Sequence, residues 1–416
     1  MANKKNASVN TTDIPKVTLH EHLEGTVTPD MAQKLANRHN VKLPENLFMA
    51  KGTYDAEDFP DGRYAYDESQ FSAFIDTYNT VSELIRTPQD YYDIAKDYLS
   101  KNAKEGGVYA ELILSPIHMA VEKDETSGEM KLSAKRYHEM MNAITKAADE
   151  VKKEYGLETR YIVTGVRNMG AENVESVVDF IKKNPHPMVT GFGIAGNEAS
   201  GHFDDFAKAS QIADELGLKK SYHAGEIIGP ESIRAALKHG AVRIGHGISS
   251  VKDPELMETL AQKGVTVEVC PTSNRILVPE VKGDLKNHPL KTMYDAGIRV
   301  SINPDDAGIF GTHTGKEYRI AQEKFAFTRA ELFDISLNAV EAAFTDSKTI
   351  DSVKSKIISK MSVKDKAEMN KLATTAQNPY LKARLQKRVV EIGSYDKSKK
   401  IENINKIVTQ KALKGR

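Results

Sequence analysis

Short β-branched runs alternate along this chain with longer stretches whose apolar positions recur at helical spacing. Eight runs have strand character: residues 17–20, 108–115, 159–166, 189–194, 219–223, 242–246, 265–270 and 298–303. Between most of them lie segments with a helical apolar period, among them 134–154, 171–183, 203–216, 230–238, 254–263 and 289–296. Eight strands alternating with helices predict an α/β fold, a (β/α)8 TIM barrel, with an open doubly wound sheet as the alternative.

Two departures from even alternation shape the expected organisation. Nearly ninety residues separate the first two strands. Within that stretch, 43–70 is rich in Pro, Gly, Asp and Tyr and predicts a loop or lid. Residues 71–100 predict helices, with Phe71, Phe74, Ile75, Tyr78, Val81, Leu84 and Ile85 forming an apolar stripe. The expected organisation is a barrel over 1–345, with an insertion at about 27–105 over its mouth. A basic helical extension over 346–416 is expected to pack on the barrel. Residues 316–344 predict further helix, and the tail from Ile350 two or three more.

Composition narrows the function classes. The 416 residues are 40% hydrophobic and 28% charged, with formal net charge zero. Nothing in that balance drives the chain toward nucleic acid or membrane, and no apolar run reaches the roughly 20 residues of a membrane helix. Charge is uneven: residues 351–416 hold 17 Lys and Arg against 6 Asp and Glu. Apolar residues recur there at helical spacing, so this excess is expected as a solvated helical face. The single cysteine, Cys270, rules out a disulfide framework within the chain and any multi-cysteine metal site. Residues 1–16 are polar, without the apolar core of a signal peptide, so a cytoplasmic location is expected.

Chemistry concentrates where strands end. His20 and His22 close the first strand, two apart, so both imidazoles are expected on one side. His223-Ala-Gly-Glu226 follows the fifth strand, Arg243-Ile-Gly-His246-Gly the sixth, and Cys270-Pro-Thr-Ser-Asn274 the seventh. Ser301-Ile-Asn303-Pro-Asp305-Asp306 ends the eighth. A barrel gathers all these ends on one face. His20, His22, His223 and one Asp make a three-nitrogen, one-carboxylate set with an open position, which suits zinc and also accommodates iron, cobalt or manganese. Such an ion lowers the pKa of its water from 15.7 to about 7. Glu226, three residues beyond a ligand, is placed for proton donation, and His246 for holding the attacking water and accepting its proton. Asp305 and Asp306 are expected to point apart on extended backbone, one to metal and one to substrate.

These five motifs, in this order from about Lys16 to Phe344, resemble the motif set of the adenosine and adenine deaminase family of metal-dependent amidohydrolase-like barrels. The resemblance implies zinc-dependent hydrolytic deamination of an adenine ring at C6, with one zinc ion per subunit held by His20, His22, His223 and Asp305. It implies that Glu226 protonates ring N1, that His246 orients the hydroxide and acts as base, and that Asp306 meets ring N7. Gly196, in Gly193-Ile-Ala-Gly196-Asn-Glu198, matches the glycine whose N–H reaches ring N3. Adenosine deaminases usually carry Asp near the ribose 5′-hydroxyl where this chain has Glu24, and often Asp at the place of Gly193. The Ile-Gly-His246, Pro-Thr-Ser and Glu317-Tyr318 segments look more like the adenosine branch. The expected substrate is therefore adenosine or deoxyadenosine, in purine salvage, with adenine as the alternative.

Several rival readings are weaker. Gly191-Phe-Gly193-Ile-Ala-Gly196 matches the dinucleotide fingerprint G-x-G-x-x-G, yet it falls between two of the strand-end clusters. Cytidine-type deaminases need a Pro-Cys-x-x-Cys that one cysteine cannot supply. The glycine-rich end of the fourth strand lacks the bridging carboxylate of two-metal barrels. A purine-binding protein without catalysis would have no need of Glu226, His246 and Asp306 together.

Overall fold

The computed structural model describes residues 11–68, 70–123, 128–281 and 283–414. The segment 1–10, where no targeting signal is expected, lies outside them. Eight parallel strands follow one another around a nearly closed barrel: β1 (Lys16–Thr18), β2 (Gly107–Leu114), β5 (Glu158–Val166), β6 (Val189–Ala195), β7 (Lys219–Ala224), β8 (Arg243–His246), β9 (Thr266–Val269) and β10 (Arg299–Ile302). They coincide with the eight β-branched runs to within one or two residues at most ends. Such strands are covered on both sides, so Val, Ile and Leu run continuously through them, as in Leu112, Ile113 and Leu114 or Ile162 and Val163, all buried.

The seam between β10 and β1 closes differently from the other seven joints. Asn303 Oδ1 accepts the backbone N–H groups of Leu19 (2.8 Å) and His20 (3.2 Å). Beyond it the two chains form a parallel bridge at Glu21 and Asp305, where the His22 N–H donates to the Asp305 carbonyl at 2.8 Å. The barrel is thus joined at its candidate ligands.

Three elements were not legible as such. Helix Pro29–His39 opens the excursion after β1, started by a Thr28 hydroxyl that accepts the Met31 N–H and by proline in its first turn. Asn40, in the left-handed region at φ 52°, ends it. A hairpin of β3 (Val121–Lys123) and β4 (Met130–Leu132) lies outside the barrel. Its strands are three residues long and largely exposed, too short for a periodic signal. The expected helix 203–216 is a 3-10 turn, Phe203–Phe206, running into Ala207–Glu215. The described residues of 43–70 hold no helix or strand, only a Phe48–Tyr64 bridge, and Phe71–Ser82 and Pro88–Lys104 follow as helices.

After Thr314–Phe325 and Arg329–Ala342, the tail forms Ser347–Ser359, Val363–Thr375 and the 36-residue helix Pro379–Lys414. The expectation of a purely solvated basic face fails here. Arg388 is completely buried, its Nε 3.0 Å from Asp334 and its Nη1 2.7 Å from Glu341. Arg384 reaches Asp334 at 3.0 Å, and Lys354 and Lys387 converge on Glu341. Part of the tail's charge is spent holding it to the barrel. No helix among the described residues is long and apolar enough to cross a membrane.

Candidate active site

His20 and His22 leave β1 on either side of Glu21, whose carbonyl accepts the Ile113 N–H at 2.8 Å. That bridge turns both imidazoles toward the barrel axis. His223 lies in β7, and the β7–β8 register sets it beside Gly245, with Ala224 beside His246. The four expected ligands, His20, His22, His223 and Asp305, are brought together. His223 Nε2 stands 3.1 Å from His20 Nε2 and 3.2 Å from His22 Nε2. Asp305 Oδ1 stands 3.1 Å from His20 Nε2 and 3.6 Å from His22 Nε2.

These separations fit a cation. Ligand atoms about 2.0–2.1 Å from a tetrahedral ion stand about 3.3 Å apart. Three imidazole nitrogens facing one another this closely repel unless a positive centre lies among them. Burial pushes His22 down to about 3 and His223 well below the usual range, so both offer lone pairs. Burial opposes ionisation of Asp305, yet His246, His20 and His22 around it hold its carboxyl well below the usual range. His20 is the exception: burial disfavours its charge, but Asp305 and Glu268 override that and raise it to about 10. The grouping His20, His223, His246 and Asp305, with His246 in place of His22, has all its ligand atoms within 4.8 Å of one another. Three buried histidines and one aspartate thus form a metal-binding cluster.

Beneath the cluster lies a charge chain that sequence reasoning missed. Glu268 Oε2 accepts His20 Nδ1 at 2.8 Å, fixing the ring so that Nε2 faces the cluster. Ser221 Oγ donates to Glu268 at 2.9 Å, and Arg243 Nε lies 2.5 Å from it. Arg243 also reaches Glu111 at 2.6 Å and covers the Phe344 ring. A lone acid in an apolar strand run, Val267-Glu-Val269 or Ala110-Glu-Leu112, was the available signal.

The remaining predicted residues surround a cavity of about 390 Å³. Glu226, His246, Asp305, Asp306, Gly196, His22 and His223 line it. Burial, then the charges of Asp305 and Glu198, push Glu226 well above the usual carboxyl range. Its Oε1 is 3.6 Å from His246 Nδ1 and has no hydrogen-bond partner among the described residues. Burial pushes His246 down to about 4. Its ring is set by Asn274, whose amide meets Nδ1 at 3.2 Å and is itself met by His288. Burial beside Asp305 pushes Asp306 well above the usual range. Its Oδ1 also lacks a partner among the described residues. Gly196 sits at φ 99°, where a Cβ would meet Asn168 Oδ1 at 2.4 Å.

Two details differ from expectation. Asp305 and Asp306 are separated by a turn and not by extended backbone: Asp305 has φ 73°, and His246 is likewise left-handed at φ 61°. Such conformations in non-glycine residues are strained and are held by their surroundings. Glu24, expected to touch substrate, is not on the cavity wall. It is fully buried behind Tyr78, whose hydroxyl donates to Glu24 Oε2 at 3.3 Å, and it is Tyr78 that lines the cavity. Of the dinucleotide-like glycines, Gly191 and Gly193 lie within β6 and Gly196, just past its end, lines this cavity.

A family model described as adenosine deaminase matches residues 15–361. The chain belongs to the adenosine deaminase family. It is a hydrolase of the deaminase type, acting on the C–N bond of a cyclic amidine, and a purine aminohydrolase of that family. Across the family the chain is similar to the adenine deaminase of Chelativorans sp. (strain BNC1), 38% identical over 335 residues, covering 80% of this chain and 95% of that protein. It is 36% identical to the adenine deaminase of Sinorhizobium medicae over 340 residues, 82% and 97% of the two chains. Among solved structures, adenine deaminase from Arthrobacter aurescens superposes with a TM-score of 0.71 at 25% identity, over 83% of this chain and 98% of that one. A zinc-bound amidohydrolase from Burkholderia ambifaria shares the fold at a TM-score of 0.70 and 22% identity, over 89% and 97% of the chains.

Proposed function

We propose that this protein is an adenine deaminase that converts adenine and water to hypoxanthine and ammonia with one zinc ion per subunit. The observation that carries the choice of substrate is the similarity, over four-fifths of this chain and nearly all of theirs, to bacterial adenine deaminases. It replaces the adenosine preference expected from sequence. The withdrawal of Glu24 behind Tyr78 supports it, since the position that would meet a sugar hydroxyl presents an aromatic ring instead. Phe71, Phe74, Ile75 and Leu277 continue that wall. Glu317, which resembled the adenosine branch, is occupied elsewhere: it accepts the Thr272 N–H at 3.1 Å and the hydroxyls of Thr272 and Thr312.

His20, His22, His223 and Asp305 would hold the zinc, which when bound would supply hydroxide at neutral pH by acidifying water. His22 is favoured over His246 because His246 approaches Asp305 only through Oδ2, at 4.0 Å. The chain's own groups perform the rest. Glu226, kept protonated by burial and neighbouring charge, donates to ring N1 and makes C6 electrophilic. His246 orients the attacking oxygen and accepts its proton. Asp306, held neutral, donates to ring N7, and the Gly196 N–H meets N3. His246 passes the accepted proton to the amino nitrogen, the C6–N bond breaks and ammonia leaves, and the C6 hydroxyl proton returns to Glu226, giving the 6-oxo ring.

Parallel assays of ammonia release from adenine, adenosine, deoxyadenosine and AMP test this reading. Adenine is expected to lead in kcat/KM by more than about 100-fold, the discrimination expected when buried polar groups and a tight wall reject a larger analogue. A higher kcat/KM for adenosine would overturn it.

A further inference from the structure

One carboxylate near the site does not line the cavity, yet it is buried and gathers five donors. Glu198 Oε1 accepts the Gly225 N–H and the Ser232 hydroxyl, each at 2.5 Å. Glu198 Oε2 accepts the N–H groups of Glu226 (3.0 Å), Ile227 (2.8 Å) and Ile228 (2.8 Å). Four successive backbone N–H groups turned toward one point make an anion-binding nest. Here the anion is a side chain of the same protein, from the loop after β6, while the nest is the turn after β7 that carries Glu226.

The Glu198 loop is itself anchored from behind. Arg167, at the end of β5, donates from Nε to the Ser200 carbonyl (3.0 Å) and from Nη2 to the Gly201 carbonyl (2.7 Å). Asn168 Oδ1 accepts the Asn197 N–H at 2.6 Å. The Arg167 guanidinium also lies over the Phe203 ring, which stacks on Tyr222 of β7. Three consecutive barrel strands are therefore tied to one carboxylate.

We propose that Glu198 is the positioning residue for Glu226: by filling the nest of residues 225–228 it fixes where the Glu226 carboxyl meets the substrate ring. The role of Glu226 in this statement rests on the deaminase reading above. Glutamine cannot substitute. An amide keeps one acceptor oxygen and turns its N–H2 against donors, so the turn loses the partner of Gly225 in one orientation and those of Glu226, Ile227 and Ile228 in the other.

The test is a double-mutant cycle of wild type, Glu198→Gln, Glu226→Gln and the pair, assayed on adenine with zinc content measured for each. Glu198→Gln is expected to lower kcat by about 10–100-fold, as loss of a supporting carboxylate does, with KM within about threefold and zinc unchanged. In the Glu226→Gln background the same change should cost less than about twofold, because the group it positions is already gone. An equal loss in both backgrounds, or a single mutant within about twofold of wild type, overturns the proposal. Amide hydrogen exchange of residues 225–228 gives a readout independent of turnover: protection should fall in Glu198→Gln, and unchanged protection overturns the proposal. Absence of adenine turnover in wild type would refute the deaminase reading and leave the exchange result to decide on Glu198. Should Glu198→Gln not fold, Glu198→Asp retains the charge with its oxygens drawn back by one methylene. It is expected to lose about tenfold in kcat at unchanged zinc content, and a wild-type kcat in that variant overturns the proposal.

Discussion

Asp305 holds His20 twice. Its Oδ1 stands 3.1 Å from the imidazole Nε2, and its backbone N–H donates to the His20 carbonyl at 3.3 Å. One aspartate therefore serves both the ligand cluster and the joint between the last strand and the first. The ligand cluster and barrel closure share one residue, through its side chain and its backbone. Removing zinc with a chelator should lower the thermal midpoint and speed amide exchange in residues 16–22 and 299–306. A ligand present at 100 times its Kd stabilises by about 2.7 kcal/mol, so a loss of that order is expected. An unchanged midpoint with zinc fully removed would contradict the coupling.

Glu268 orients His20 through Nδ1 and neutralises Arg243. Glu268→Gln should weaken zinc binding by about 10–100-fold, measured by competition with a chelator. Stability should fall as well, because Arg243, fully buried, is left with Glu111 as its remaining acid. Unaltered affinity would show that the ring is held by packing alone.

Gly25 supports Asp306 by lacking a side chain. A Cβ there would lie 1.8 Å from Asp306 Oδ1. Gly25→Ala must displace that carboxyl, and a shift of about 1 Å in a positioning group costs about 100-fold in rate. The variant should retain zinc while kcat/KM for adenine drops by about that factor. Activity near wild type would remove Asp306 from the substrate-contacting set.

The latch on the C-terminal helix makes stability depend on pH. Burial raises the carboxyls of Asp334 and Glu341, but Arg384 and Arg388 at Asp334, and Arg388, Lys387 and Lys354 at Glu341, hold both below the ordinary range. The unfolded chain takes up these protons at higher pH than the fold does. Their contribution is thus complete above about pH 5 and is lost as pH falls through the folded values. Arg388→Met should cost about 1.5–3 kcal/mol at pH 7, since it takes charged hydrogen bonds from both carboxylates while leaving Arg384 on Asp334 and Lys354 and Lys387 on Glu341. In denaturant titrations the gap to wild type should narrow toward pH 3. A gap independent of pH would mean that lost packing, not charge, sets the cost.

The barrel was legible because its strands are buried on both sides. A run such as Val265 to Val269 stands out from its amphipathic neighbours without knowledge of its partners. The ligands were legible because they fall at strand ends, which a barrel brings to one rim. What stayed hidden depends on contacts between distant segments. Glu198 was visible as part of a motif, but four of its five donors come from the turn after the next strand. Glu24 stands in sequence where a sugar contact was expected, and only the packing of Tyr78 from helix Phe71–Ser82 takes it off the wall. The basic tail looked solvated because Asp334 and Glu341, which bury Arg388, belong to helix Arg329–Ala342, whose apolar period conceals them.

The seam at Asn303 and Asp305 also sets an order in time. Ala307 donates to Glu21 across 286 residues of chain, and at ribosomal rates of 5–20 residues per second that interval lasts about 15–60 s. Once β2 has been made, the first strand has that neighbour but not β10. His20 and His22, made well before β10, wait for that strand before they have a complete set of companions. A nascent chain stalled before Arg299 should therefore hold seven barrel strands and no high-affinity zinc site, and a centre whose first ligands follow β1 is completed only after β10.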